Sequence, residues 1–578
     1  MQIKNGPYRL LILAILIGLT GAPVLAQTPF DAERSDEAKL IREQIHVFTD
    51  RSIYAVDEII HFVAEYRVNG PIGSNLWSSV LYVELIASSG ETLAQGKFRL
   101  SGGSVEGSLT IPTASLTGNY YLRSYTRWMR NQGPDSFIYT PLKIINPYRS
   151  EVLISTNTES TSDSVPKLAY KEGMLEVSMT SQSVQGGKEM KFQLEGASTL
   201  KLDRLRCCVT VVPEGSIDLS GGQYDMGPPE ENDSFRVSFL PDLGDGVSIS
   251  GTVVDPQQSP APYTTLHFSL LGADPDYLAT MSDEHGRFVL SIPTGFDDKL
   301  EFFVTPEQED DSRLEVRIDQ EYDSRALTLP AESFELSEDE EELARRIALN
   351  IQLSKAFKPG DLSPDSTVEE YFEGSRVPFY GTRVNRLMID DYVRLPNLEE
   401  IFINLLPEVQ FYRKKGKNKI RILSNNSSID VYKPLIMIDH ISVFDHEALL
   451  ALSPEKIERI DLIDDIYLKG NVAFGGILAI HSIKGDMAGI DLPEGSYFFD
   501  YQSFYPKDAF GEAPPVQPGR VPDTRNTFFW SGNIVLEQGK QLEIPFRAPV
   551  KSGSYVVLVR GVSPGGELYS ASAKFRVE

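Results

Sequence analysis

The densest cluster of side chains able to do chemistry is a run of positive charge. Arg413, Lys414, Lys415, Lys417, Lys419 and Arg421 fall within nine positions of a chain whose formal net charge is −27. Such a patch can attract an acidic protein surface or a lipid phosphate. The competing account is an edge hairpin kept soluble by its lysines. Nucleophilic and metal chemistry find less support. No Gly-x-Ser-x-Gly elbow, zinc-ligand spacing or phosphate loop occurs, and the seven histidines are scattered. His440 and His446 are close in sequence but lack carboxylates at metal spacing. The two cysteines, Cys207 and Cys208, are adjacent in an apolar run. Neighbouring strand residues point to opposite faces, so they are expected as two thiols, at least one buried. Asp50-Arg51 is expected to be a buried-edge ion pair at a strand-to-loop corner. Glu340-Glu341-Glu342 is expected to be a solvated helix start. No catalytic residue, metal ligand or cofactor site is expected, and Trp530 and Tyr555 are expected to anchor a core.

The charged run needs a rigid mount, and the sequence supplies one. Leu398 to Leu406 suits a short helix, Val409 to Tyr412 a strand, and Ile420 to Leu423 its return across a Gly-containing tip. Downstream, Leu435 to Ile438 is an apolar strand ending at a tight Asp439-His440 turn. Ser453-Pro454-Glu455 should open a capped helix. Strands are expected at Ile457 to Ile463 and, after a turn through Gly475-Gly476, at Ile477 to Ile483. Ser337-Glu338-Asp339-Glu340 carries a capping box, and Leu343, Ile347 and Ile351 form one apolar stripe. This helix and the basic hairpin are expected to cover the strands Leu435 to Ile438 and Ile477 to Ile483.

At 578 residues the chain is too long for one core. Its acidity argues against nucleic acid as a partner. Lys4 and Arg9, the apolar Leu10 to Leu19 and Val24-Leu25-Ala26 read as a signal peptide cut after Ala26, with no later apolar run long enough to span a bilayer. The remainder divides by composition and turn spacing into 27-150, 151-240, 241-330, 331-500 and 501-578. The fold class expected is mainly β, tandem β-sandwiches plus a small α+β domain.

Three resemblances refine this. Thr49-Asp50-Arg51 with Tyr54 and Glu58, and Gly118 through Thr126, look like an α2-macroglobulin-type domain, although Val56-Asp57 stands where that family has Pro-Gly. Segments 151-240 and 501-578 are similar to further such sandwiches, and the family's Cys-Gly-Glu-Gln thioester run is absent. Ile249 through Asp255, Thr264 to Leu270 and Thr280 through Leu290, with a hairpin-like Asp283 to Gly286, resemble a carboxypeptidase regulatory-like domain of transthyretin type. That module is an accessory domain without protease chemistry. Pro434 to Asp439, Ser453 to Ile463 and Ala473-Phe474-Gly475 through Lys484 resemble the plug of TonB-dependent outer-membrane receptors. His440 replaces a favoured glycine there, and too few residues follow for the many strands of a barrel.

Together these resemblances imply a non-catalytic exported binding or docking protein of a Gram-negative envelope, in the periplasm, at the outer membrane or on the cell surface. It would be accessory to uptake or envelope assembly, with an envelope protein such as an outer-membrane barrel as partner. The alternative is a structural or adhesive surface protein. Under either, Arg413, Lys414, Lys415, Lys417, Lys419 and Arg421 are the candidate partner contact.

Overall fold

The computed structural model describes residues 40–578 except 71–76, 154–167, 172, 197–203, 220–222, 226–236, 243–245, 273–274, 293–298, 309–312, 326–328, 331–332, 358–377, 383, 393–394, 506–509 and 511–521. The segment read as a signal peptide lies outside the described residues. Among the described residues the strands assemble into three β-sandwiches and one α+β unit, so the chain is mainly β.

The first sandwich sets the sheet Arg42–Thr49, Ile59–Asn69 and Ser104–Thr110 against a second sheet. That sheet contains Val80–Ala87, Thr92–Arg99, Gly118–Tyr125 and Ile138–Ile145. Alternating apolar residues fill the space between them, with Trp128, Tyr82 and Phe62 fully buried.

The second sandwich corrects the linear division of the chain. Arg204–Pro213 pairs with Phe529–Glu537 on one side and Gly553–Val562 on the other. Glu189–Gly196 pairs with Gln541–Arg547. Segments 151-240 and 501-578 therefore form one sandwich around Phe192, Val209, Val557 and Phe575, not two domains. Strand alternation shows that a segment pairs but not with which partner, so a division made along the sequence separates the two halves.

The third sandwich is interrupted in the same way. Val247–Val254 lies between Arg287–Ile292 and Glu315–Ile318. The opposing sheet runs Asp276–Met281, Thr265–Leu271, Lys299–Pro306 and Tyr497–Gln502. Tyr497–Gln502 arrives from beyond the expected boundary at 330. The Asp283 turn is hydrogen-bonded to Gly286 and Arg287, but its flanking strands belong to different sheets, so it is a crossover and not a hairpin. The α+β unit is thus inserted within the third sandwich, and both are inserted within the second.

The helix α1 (Glu338–Phe357) has its capping box: the Ser337 amide donates to Glu340 Oε2 at 2.9 Å and the Glu340 amide to Ser337 Oγ at 3.3 Å. Its buried stripe of Leu343, Ile347 and Ile351 packs on Ile53 and Ala55 of the first sandwich. It does not pack on the α+β sheet that it was expected to cover.

The α+β sheet runs Asn385–Met388, Ile457–Lys469, Val472–Ser482, Leu435–Ile438 and Ile441–Ser442. Leu435 and Met437 face one apolar cluster with Ile477 and Ala479, and Ile436 and Ile438 face another with Leu478 and Ile480. An unbroken apolar run is what a strand buried on both faces requires. The first face is covered by Tyr277 and Ala279 of the third sandwich. The second is covered by α2 (Leu398–Leu405), α3 (His446–Leu450) and the basic hairpin, through Ile401, Phe402, Leu449, Val409, Ile420 and Ile422.

Three local expectations here are corrected. Val472–Ser482 runs straight through Gly475-Gly476, and the turn lies earlier, at Gly470-Asn471 between paired Lys469 and Val472. A Cβ on Gly475 would stand 2.4 Å from the Tyr432 carbonyl, so the glycine serves a close backbone approach and not a bend. Ser453 makes no capping hydrogen bond, and Pro454–Lys456 is a single 3₁₀ turn. The strand Ile457–Lys469 runs six residues beyond the expected end at Ile463, because it continues past a bulge between Ile463 and Ile466.

Candidate functional site

The basic hairpin consists of Val409–Lys414 and Lys417–Ile422 joined by Lys415-Gly416, at φ 51° and 82°. Positive φ at both central residues is the two-residue turn that matches strand twist. Period-two alternation then sorts the charges. Gln410, Tyr412 and Lys414 lie opposite Arg421, Lys419 and Lys417, so Lys414, Lys417, Lys419 and Arg421 share one face. Val409, Ile420 and Ile422 on the other face are buried, and Arg413 continues that face beyond the core. Lys415 sits at the tip. The six candidate residues are therefore gathered on one small element but divided between its faces.

The free edge of Lys417–Ile422 is held by α3. The Asn418 amide donates to Glu447 Oε1 at 2.9 Å and the Ile420 amide to His446 Nδ1 at 3.0 Å. Asp445 caps α3 by accepting from the Glu447 and Ala448 amides. His446 is thus an edge cap, and burial next to Lys419 pushes its pKa down to about 4. His440 has other surroundings. It sits at φ 67° in the Asp439-His440 turn, near His481 and Phe379 at ring separations of 5.6 and 6.2 Å. Asp439 holds this turn by accepting from the Ser482 amide and hydroxyl and the Met487 amide at 2.6 to 2.8 Å.

Between the hairpin, the strand Leu435–Ile438 and the third sandwich lies a cleft with a cavity of about 120 Å³. Lys414, Lys415, Lys419, Lys433 and Glu307 stand around it; Phe444, Phe474, Leu435 and Ile436 supply apolar wall, and His267 and Ser442 also line it. Lys433 Nζ meets Glu307 Oε1 at 2.7 Å across the mouth. His267 is buried, and its Nδ1 lies 2.6 Å from the Tyr277 hydroxyl and 3.0 Å from the Ser442 hydroxyl. Burial pushes its pKa down to about 4, only partly opposed by Glu307, so the ring is neutral at pH 7.

Sequence reasoning did not single out His267. In Thr265–Leu271 the residues Leu266, Phe268 and Leu270 enter the sandwich core, which leaves His267 and Ser269 on the face that reads as exposed. The α+β unit buries that face, and Ser269 Oγ donates to the His440 carbonyl at 2.7 Å. The alternation carries the signal only as polar residues of limited size on an otherwise apolar strand.

The remaining candidates are structural. Asp50 accepts from Tyr54 Oη at 2.7 Å, the His61 amide at 3.0 Å and Thr527 Oγ1 at 2.5 Å, while Arg51 bridges Asp50 and Glu58 at 3.3 and 3.0 Å. Cys207 and Cys208 are both buried and unbridged, in different apolar clusters, and burial pushes both thiols up. Glu340 pairs with Lys143 at 2.8 Å and Glu341 with Arg345 at 3.0 Å. Trp530 and Tyr555 are buried in the core. Among the described residues no three His, Cys, Asp or Glu side chains are grouped to hold a metal, and no helix is long and apolar enough to cross a membrane.

No family model matches the chain. No curated protein matches it either. Among solved structures, Salmonella α2-macroglobulin reacted with methylamine aligns over 93% of this chain and 23% of its own length, at 8% identity and a TM-score of 0.15. The native conformation of E. coli α2-macroglobulin aligns over 93% and 40%, at 9% identity and a TM-score of 0.23. The Yersinia pseudotuberculosis adhesin InvE aligns over 47% and 57%, at 14% identity and a TM-score of 0.11. Overlap at this level does not define a shared whole-chain arrangement. The chain spans less than half the length of the two α2-macroglobulins it overlaps.

Proposed function

We propose that this protein is a non-catalytic binding protein of the bacterial envelope that docks an acidic partner, an envelope protein, through the basic hairpin. The observation that carries the reading is the mounting of that hairpin. Its apolar face is built into the α+β core and its free edge is tied to α3, so a row of cations is presented at fixed spacing by a chain that is acidic overall. A solubility device needs charge on the edge but no such fixed geometry. The motifs resembling a receptor plug and macroglobulin-type sandwiches support the envelope setting. A second reading, a structural or adhesive surface protein, is favoured by the buried polar network that ties the first and second sandwiches through Asp50, Thr527 and Thr210.

The test is crosslinking in intact envelopes with the full chain and with an Arg413→Glu, Lys417→Glu, Arg421→Glu variant. Docking through the hairpin predicts loss of the crosslinked partner with little change in melting temperature, because exposed charges contribute little to folding. Retention of the same partner by the variant refutes the docking role.

A further inference from the structure

We infer that the seam of the third sandwich between Glu315–Ile318 and Tyr497–Gln502 is a binding site for a saccharide, a molecule with an apolar ring face and a rim of hydroxyls. The inference does not depend on what docks on the hairpin, since the residues concerned are different ones.

The seam exists because its two strands are the end strands of opposing sheets. Tyr497–Gln502 pairs with Lys299–Pro306, and Glu315–Ile318 pairs with Val247–Val254. A cavity of about 290 Å³ opens between them, close to the lower end of the roughly 300–1,000 Å³ typical of small-molecule sites. Period-two alternation puts Tyr497, Phe499 and Tyr501 on one face of their strand, and all three line the cavity. The Tyr497 and Phe499 rings stack at 5.7 Å and 26°, and Phe499 continues onto Phe302 at 5.5 Å and 21°. Lys97 Nζ, 3.8 Å from the Tyr501 ring centroid, closes the inner end of the row. Tyr497 at the outer end is 49% exposed. A ring already held by its neighbours and still half in water is an apolar platform that loses little conformational freedom when a second ring lies on it.

The opposite wall is polar. Arg127 enters it from the first sandwich; it is buried, and it donates through Nη1 to the Ser248 carbonyl at 2.6 Å and through Nη2 to Ser250 Oγ. Its Nε–H is buried without a hydrogen-bond partner. Buried donors are ordinarily paired, so one left over at a cavity wall marks where an acceptor belongs. Beside it, Asp319 accepts from the Ser250 hydroxyl, one of about four hydrogen bonds a carboxylate can take, and the exposed Gln320 amide both donates and accepts. The occupant therefore needs donors and acceptors together with one apolar face. An inorganic ion leaves the aromatic row unmatched, and a hydrocarbon leaves Arg127 Nε–H unmatched. A pyranose ring satisfies both walls, its C–H face on Tyr497 and its oxygens towards Arg127 and Asp319. The choice does not turn on a net charge at the rim.

Calorimetric titration of the full chain with maltotriose, cellotriose and tri-N-acetylchitotriose tests this, with sorbitol as a polyol that has no ring face. At least one trisaccharide should bind saturably at millimolar concentration, at least about tenfold tighter than sorbitol. Tyr497→Ala, at an exposed position, should lose about tenfold in affinity for that trisaccharide. The Arg127 Nε–H resonance should shift on saturation, a readout that needs no substitution in the core. No saturable binding of any of the three, equal binding of sorbitol, unchanged affinity in Tyr497→Ala or an unmoved Arg127 resonance would each overturn the inference.

Discussion

Replacing Asp50 by alanine should uncouple the first sandwich from the second. The carboxylate is fully buried and collects donors from three places: Tyr54 and Arg51 in its own loop, the His61 amide in the neighbouring strand, and Thr527 at the start of the chain's return into the second sandwich. In Asp50→Ala, Tyr54 retains the Arg51 carbonyl and Arg51 retains Glu58, so those two groups stay satisfied. The His61 amide and the Thr527 hydroxyl lose their acceptor. Each buried donor left unmade costs about 1–3 kcal/mol, so the two together should cost about 2–6 kcal/mol. Thr527→Val, which removes one of the contacts between the sandwiches and leaves that of Thr210 with the Asp50 carbonyl, should cost about 1 kcal/mol. Guanidinium unfolding with limited proteolysis is a suitable assay. Asp50→Ala should split the transition, with the segment around Thr527 becoming protease-sensitive first. A single transition displaced by less than about 1 kcal/mol would show that the corner is satisfied by other means and that the reasoning is wrong.

Two further outcomes are expected. His267, His446 and His481 have folded pKa values pushed down to about 4 by burial from an ordinary 6.5. The unfolded chain takes up protons first, so the stability they secure is complete above pH 6.5 and is lost as pH falls towards about 4. Burial raises Glu43 and Glu65 of the first sandwich to about 7, which has the opposite sign: their contribution is complete below pH 4.5 and is lost as pH rises through about 7. Hydrogen exchange corrected for intrinsic rate should show Leu435–Ile438 and Val472–Ser482 losing protection between pH 6.5 and about 4 before Ile59–Asn69 does. Simultaneous loss would count against the assignment. For the glycines, Gly475→Ala places a Cβ 2.4 Å and 2.6 Å from the backbone carbonyls of Tyr432 and Ile429, and should cost about 3 kcal/mol. Gly416→Ala at φ 82° meets no neighbour and should cost about 1 kcal/mol. Equal midpoints in urea would refute the contrast.

Local chemistry was legible in the sequence wherever neighbours in the chain are neighbours in space. The Ser337 capping box depends on residues within four positions; the Asp439-His440 turn was also evident, though Ser482 and Met487 hold it from far along the chain, and the basic tip read between Tyr412 and Ile420 narrows to Lys415-Gly416. The unbroken run Leu435 to Ile438 announced a strand, though not that both its faces are buried or what lies on either side of it. Pairings such as Val209 with Val559 were not legible, because alternation is the same whichever strand lies alongside. The cleft was half legible. Its lysines stood out against the acidic composition, whereas His267 needed the knowledge that a second unit buries the polar side of its strand. Helix α1 shows the same gap in reverse, since its stripe was evident and its partner, Ile53 and Ala55, was not.

The nesting of one unit inside another also sets an order in time. A chain made from its amino end completes the α+β unit and then the third sandwich while the second remains half built. Until the closing strands arrive, Arg204–Pro213 lacks both of its partner strands and Glu189–Gly196 has only Leu175–Met179; Gln541 meets Gln193 across 348 positions. Arg204–Pro213 is rich in valine and carries both cysteines, the composition that pairs with any exposed strand it encounters. Closure of so long a loop costs little extra free energy once made, but the wait before closure is long. The segment most exposed to misassembly among the described residues is therefore an early-made strand in the interior of the finished sheet, whose safety depends on how soon the closing strands arrive.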